Sequence, residues 1–327
     1  MRQVRTAALA FASLISLPLL SAAAHADTWK PSEPIRFIVP YGPGGANDII
    51  SRALQGPLSE ALGVPVIVEN KPGASGSIAA SYVSKAKPDG YTLLVGNTNT
   101  NAIVPLLQKT ANYDALTDFS FVSQLGSAPI VCLASSGTGI KDMASLLAIA
   151  KERPDGLNYG HSGVGTMGQL TAELLSMSSN INMTGVAYKG QAPVISALMT
   201  HEIDLAFGGP AISTNTLAKE GKISIVGVTS AKPSPLVPGA PSIVSFMNGK
   251  TAEIWFALFA PPNTPSDVVT RLHDEIKKIM DLPETKERFA SFSVSPQTST
   301  PEELKGMVAR DSEMWKQVIQ DANITVE

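Results

Sequence analysis

From Ile35 onward the apolar residues fall into two alternating kinds of run. Short blocks of β-branched and aromatic residues, bounded by glycine, proline or asparagine, alternate with longer segments whose apolar positions recur every three or four residues. That alternation predicts an α/β chain with largely parallel sheets. IRFIVPY (35–41) reads as a buried strand, and Ile49, Ile50, Ala53, Leu54, Leu58, Ala61 and Leu62 as the inner face of the helix after it. VPVIVEN (64–70) is the next strand, and Ile78, Ala79, Tyr82, Val83 and Ala86 continue the helical period. Pro88-Asp89-Gly90 then turns the chain into YTLLVG (91–96).

The same grammar returns from residue 127. SAPIVCLAS, GLNYGHS, TGVAYKG, EIDLAFGG and KISIVGVTS read as strands, separated by helices at 142–151, 167–177, 192–200 and 213–220. Beyond a proline-rich loop at 231–241, WFALFAPP (255–262) reads as a strand and 266–281 as a long amphipathic helix. Thr300 as N-cap, Pro301 at the first helical position and Glu303 three residues on predict a capping box at a final helix. One strand and two or three helices are too little for a third domain, so this tail is expected to complete the first block. The expected lobes are 27–125 with 230–327, and 126–229, with crossings near 124–128 and 227–232 acting as a hinge.

The first residues follow another pattern. Arg2 and Arg5 precede an apolar or small run at 6–23 and the small-x-small triplet Ala24-His25-Ala26, which predicts a cleaved secretory signal over 1–26. Ser13, Ser16, Pro18 and Ser21 interrupt that run and argue against a retained membrane anchor. The one cysteine, Cys132, lies far from the cleavage site, so no lipid anchor is expected; it reads as a small buried hydrophobe, and one cysteine forms no internal disulfide. The mature chain is expected to be exported, free and soluble. Cleavage removes Arg2 and Arg5 and leaves 23 basic against 28 acidic residues, a net charge of about −5. With no basic run, that balance argues against nucleic acid.

Three glycine-bearing loops stand between a strand and a helix: Gly42 to Asn47, Gly160 to Thr166, and Lys189 to Ala192. A helix start offers unpaired N–H groups and partial positive charge, and glycine lets a guest approach the backbone closely, so such loops are cradles for an anion. Alternatively the glycines serve only tight turns. Gly163-Val164-Gly165-Thr166-Met167-Gly168 has the form G-x-G-x-x-G, but the following strand ends Tyr188-Lys189 with no acid for a ribose. Gly45 is followed by Ala46 and Asn47, which rules out a Walker A loop. Gly160-His161-Ser162-Gly163 resembles a nucleophile elbow, yet Val164 stands where G-x-S-x-G requires glycine. A hydrolase using Ser162 is therefore the alternative reading. His201 and His273 read as solvated, and no histidine or cysteine spacing suits a metal. No cofactor and no catalytic residue is expected.

IRFIVPYGPGGANDIISR, VIVENKPGASGSIAASYVSKAKPDGYTLLVGN, LNYGHSGVGTMGQLTAELL, GVAYKGQAPVISALM and GVTSAKPSPLVPGAPS together resemble the Bug family of TctC-like proteins, the periplasmic solute-binding proteins of tripartite tricarboxylate transporters. The resemblance spans nearly the whole mature chain. It implies a two-lobed periplasmic binding protein of the type II kind that closes on a small carboxylated solute and hands it to integral membrane subunits. A receptor feeding a sensor kinase is a further alternative. The resemblance implies Tyr41, Gly44, Gly45, Ala46, Asn47, Asn97 and Thr98 on the first lobe. On the second it implies Ser162, Gly163, Gly165 and Thr166, then Tyr188, Lys189, Gly190 and Gln191, with Gly208 beside the cleft. Asp48 is expected at a helix start, where a carboxylate complements the dipole. Gln169 stands where His is common and Gly208 where Asp is common. Loss of that acid is expected to open space for a bulkier or more anionic guest.

Overall fold

The computed structural model describes residues 29–326; the signal expected at 1–26 lies outside the described residues. β1 (Ile35–Val39) runs through a glycine loop into α1 (Ala46–Leu62), which buries Ile50, Ala53, Leu54, Leu58 and Leu62. Gly63, at φ +72°, ends the helix in the left-handed conformation that glycine adopts most readily. β2 (Val66–Asn70) and α2 (Ser77–Val83) follow. α2 buries Ala79, Ala80 and Val83, whereas Ile78 and Tyr82, expected inside, are exposed. Tyr82 instead meets two cations: Arg36 donates to its hydroxyl at 3.1 Å, and the Lys71 ammonium stands 4.6 Å from its ring centre.

β3 (Thr92–Asn97) passes through a π-turn at 99–103 into α3 (Val104–Leu107), and β4 (Ser120–Pro129) follows. The expected strand 127–135 is two strands, because the chain changes sheet at Ile130 before β5 (Val131–Ser135). The second sheet and its helices continue through α4 (Met143–Glu152), β6 (Leu157–His161), α5 (Met167–Ser179), β7 (Met183–Ala187) and α6 (Gln191–Met199). β8 (Leu205–Gly208), α7 (Ile212–Lys219) and β9 (Ile223–Val228) complete them. The chain then returns as β10 (Glu253–Ala260), α8 (Ser266–Asp281), α9 (Pro283–Ser291), β11 (Ser295–Pro296) and α10 (Pro301–Asp321). The capping box forms at α10: Glu303 N–H donates to Thr300 Oγ1 at 3.2 Å and Thr300 N–H to Glu303 Oε2 at 2.9 Å.

The sheets run β11-β4-β10-β3-β1-β2 and β7-β6-β8-β5-β9, and they are mixed, not mostly parallel. β1 pairs in parallel with β2 and β3, and β6 with β7 and β8. β10 lies antiparallel to β3 and β4, and β5 antiparallel to β8 and β9. Helical crossovers enforce the parallel pairs; β5 and β10 enter from the opposite sheet without one and run the other way.

A knot of hydrogen bonds forms where the chain changes sheet. Ile130 N–H lies 2.9 Å from Thr229 Oγ1, Thr229 N–H donates to Ile130 O at 3.0 Å, and Ala252 N–H to Thr229 O at 3.2 Å. The buried Thr229 hydroxyl donates on to Ala252 O. Between these points residues 230–251 stay with the second sheet, through a parallel bridge from Ser242 to Val228 and a bond from Ser179 Oγ to Phe246 O at 2.9 Å. The largest apolar cluster joins Ile38 and Leu94 of the first sheet to Tyr159 and Phe207 of the second, and Trp315 of α10 lies within it, fully buried. Cys132 is buried there too, and burial pushes its thiol pKa up.

Candidate functional site

A cavity of about 230 Å³ opens between the two sheets. Asn97, Asn99 and Ile254 form its first-sheet wall and Ile130 its back. The opposite wall comes from the end of β6 and the start of α5, through Ser162, Thr166, Met167 and Gly168. Gln191 at the start of α6, with Phe207, Gly208 and Gly209, completes it. Among the described residues, none lining this cavity is ionisable. At roughly 30 Å³ per water molecule it has room for a guest the size of about eight waters.

Carboxamides set the first-sheet wall. Asn47, the second residue of α1, is buried; its Nδ2 donates to Val95 O at 2.8 Å and its Oδ1 accepts from Asn97 Nδ2 at 2.9 Å. Asn97 Oδ1 accepts the Thr100 N–H at 2.9 Å, which caps the turn after β3. The Tyr41 hydroxyl stands 3.0 Å from Thr100 Oγ1 and accepts from Asn99 Nδ2 at 3.3 Å, so Tyr41 supports the wall from behind.

The two glycine loops share a lock. Gly44 (φ +84°) donates its N–H to Asp48 Oδ2 at 3.0 Å, and Gly165 (φ +73°) donates to Gln169 Oε1 at 2.7 Å. Asp48 and Gln169 are each the third residue of their helix, and each glycine stands two residues before it. Neither helix start has a side-chain cap, and the Thr166 hydroxyl donates to Gly163 O at 2.7 Å instead, so the first-turn N–H groups remain available to a guest. Burial opposes the charge on Asp48, but Arg52 at 3.0 Å, the Gly44 N–H and the Asn70 amide hold its carboxyl below the ordinary carboxylate range.

His161 shapes the second loop. Its Nδ1 lies 2.7 Å from Gly163 O, and because a carbonyl only accepts, that nitrogen carries the proton. Burial pushes its pKa down, which keeps the ring neutral. Only its Nε2 is left to accept, and among the described residues no hydrogen bond joins Ser162 to a histidine. His201 is not simply solvated: its Nδ1 lies 2.5 Å from Ser135 Oγ. His273 is half-buried, and among the described residues its Nδ1 has no partner.

Of the residues expected from the sequence, the structure brings Asn97, Ser162, Thr166, Gln191 and Gly208 to the cavity. Gly44, Gly45, Ala46 and Asn47 stand outside its lining, as do Gly163 and Gly165, whose part is the loop shape. Thr98 is fully buried and stitches β3 to β10, donating to Glu253 O at 3.1 Å and accepting the Trp255 N–H at 2.8 Å. The Tyr188 hydroxyl turns to Glu202 at 2.8 Å, Lys189 is exposed, and Gly190 (φ +101°) only begins α6. Nor does Gly208 open space: a Cβ there would lie 2.4 Å from Gln191 Nε2, so the Gln191 carboxamide fills the place. Asn99, Ile130, Met167, Gly168, Phe207, Gly209 and Ile254 were not foreseen. Asn99 carried a signal in the NTNTN run after YTLLVG, and Met167 and Gly168 in the G-x-G-x-x-G pattern.

The model of the tripartite tricarboxylate transporter family receptor, TctC, matches residues 50–324. The periplasmic binding protein BugD is 27% identical, with a TM-score of 0.70 over 91% of this chain and 100% of that one. A Rhodopseudomonas palustris protein solved with adipate is 29% identical, with a TM-score of 0.73 over 90% and 99%. MatC of the same organism, solved with bound malate, is 27% identical, with a TM-score of 0.69 over 88% and 99%. With two α/β lobes and a polar cavity between them, the chain belongs to the tripartite tricarboxylate transporter receptor family, the TctC/Bug solute-binding proteins.

Proposed function

We propose that this protein is an exported periplasmic receptor that holds a small carboxylated solute between its lobes and delivers it to the membrane subunits of a tripartite tricarboxylate-type transporter. The observation that carries this reading is the cavity between the sheets, where Thr166 to Gly168 bring the uncapped start of α5 against carboxamides from the other side. Several N–H groups at a helix start neutralise a carboxylate without any cationic side chain. The adipate and malate found with two relatives support the choice of solute. Ser162, Thr166, Gln191, Asn97 and Asn99 are the side chains proposed to meet the guest. Tyr41, Asn47 and the two glycine loops hold them in place. Guest contact with both walls favours closure about the knot of Ile130, Thr229 and Ala252. In this reading the protein acts as a monomer, without a cofactor and without catalysis.

Thermal unfolding of the purified chain against mono-, di- and tricarboxylates tests this, because a guest that binds only the folded state raises the Tm. A carboxylate that raises the Tm of the native chain and less that of Thr166→Pro, which alters the start of α5, supports the reading. A flat response to every carboxylate, or turnover that Ser162→Ala abolishes, refutes it.

A further inference from the structure

A second cavity, of about 250 Å³, lies on the opposite face of β10 from the first. Glu253 lines it and Ile254 lines the cavity described above, and successive side chains of a strand point to opposite faces. Pro129 and Ser230, the neighbours in sequence of Ile130 and Thr229, set it beside the knot. On the first-sheet side the Glu253 carboxylate accepts from Ser127 Oγ at 2.8 Å through Oε2, and among the described residues its Oε1 has no hydrogen-bond partner. Residues 230–235 form the facing side and carry Lys232. Ser230 Oγ donates to the Lys232 carbonyl at 2.7 Å, and Pro233 and Pro235 stiffen the segment, so its backbone is set while the Lys232 side chain is exposed.

The two cavities differ in kind. Among the described residues, none lining the first is ionisable, whereas this one holds a carboxylate and an ammonium group, and neither belongs to an ion pair. Asp311 in α10 adds a second negative charge near Glu253, with Arg310 opposing it. We propose that this cavity binds a small zwitterion, an amino acid whose ammonium group meets Glu253 and whose carboxylate meets Lys232. Each end then makes a charge-assisted hydrogen bond. A guest with a carboxylate alone is repelled by Glu253, and one with an ammonium group alone by Lys232. Segment 230–251 stays with the second sheet and Glu253 belongs to the first, so the guest bridges the lobes beside the point where they turn and biases their angle.

Calorimetric titration of the native chain with glycine, γ-aminobutyrate and ε-aminohexanoate, beside butylamine, tests this. The zwitterion whose spacing fits binds about tenfold or more tighter than butylamine. Glu253→Gln keeps an acceptor for Ser127, and Lys232→Ala changes an exposed residue; each weakens that zwitterion by about tenfold. Lys232→Glu reverses the preference, toward the diamine putrescine over γ-aminobutyrate. No binding of any of these zwitterions to the native chain overturns the proposal, and so does a zwitterion affinity that Glu253→Gln and Lys232→Ala both leave unchanged.

Discussion

Adding one carbon at Gly208 tests whether the Gln191 carboxamide is a working part of the cavity. Gly208 closes β8 in ordinary strand conformation, so alanine there brings no backbone strain. Its Cβ would stand 2.4 Å from Gln191 Nε2 and 2.7 Å from both Cδ and Oε1. Carbon contacts settle at about 3.5 to 4.0 Å, so the carboxamide must withdraw by more than about 1 Å. It is the free end of a flexible side chain, and stability should change by less than about 0.5 kcal/mol. Binding should lose what the amide contributes, about 1.5 to 3 kcal/mol for a hydrogen bond to a charged group. That corresponds to a fall in affinity of about 10- to 150-fold. Calorimetric titration of Gly208→Ala, Gln191→Ala and the double variant measures the coupling. If the effect runs through Gln191, Gly208→Ala costs nothing in the Gln191→Ala background. Unchanged affinity in Gly208→Ala, or an equal loss in both backgrounds, refutes the reasoning.

Gly168→Ala should destabilise the protein despite alanine's helix propensity advantage of about 1 kcal/mol, because the new Cβ would lie 2.4 Å from the Phe207 carbonyl oxygen in β8. Overpacking of about 1 to 3 kcal/mol should exceed that gain, and urea unfolding with a raised midpoint would contradict it. Thr229→Val removes the buried hydroxyl of the crossing knot and should cost about 1 to 3 kcal/mol; unchanged hydrogen-exchange rates at Ile130 and Ala252 would count against its role. Asp311 accepts from the Trp255 indole at 2.8 Å, and burial raises its pKa to about 6 from the ordinary 3.8. The folded state therefore takes up this proton before the unfolded chain does, and Asp311 adds stability as the pH falls from about 7 to 4. Asp311→Asn should flatten that rise in a Tm series over pH, and an unaltered slope would show that another group causes it.

Much of the fold is legible in the pattern of apolar residues because α1, α5, α8 and α10 each present one buried stripe, and because the strands after them are short blocks bounded by turn residues. β4 escapes that reading: FVSQLGSAP carries serines, a glutamine and a glycine, yet all its residues from Phe121 are buried between β10 and β11. The site divides along the same line. Backbone conformation is written locally, so the glycine loops are visible; their N–H lock is not, because it depends on where the Asp48 and Gln169 side chains turn. Thr98 and Tyr188 adjoin the right loops but point into β10 and toward Glu202, a choice made by packing alone. Ile254 reaches the cavity from a strand whose neighbours in sequence give no sign of it.

The cluster shared by both sheets, with Trp315 of α10 inside it, has a consequence for denaturation. Each half also has a smaller apolar cluster of its own, but the shared one couples them, so heat or urea should melt the molecule as a single cooperative unit, with calorimetric and van't Hoff enthalpies in agreement. A fragment cut at the knot and lacking α10 should not hold its shape.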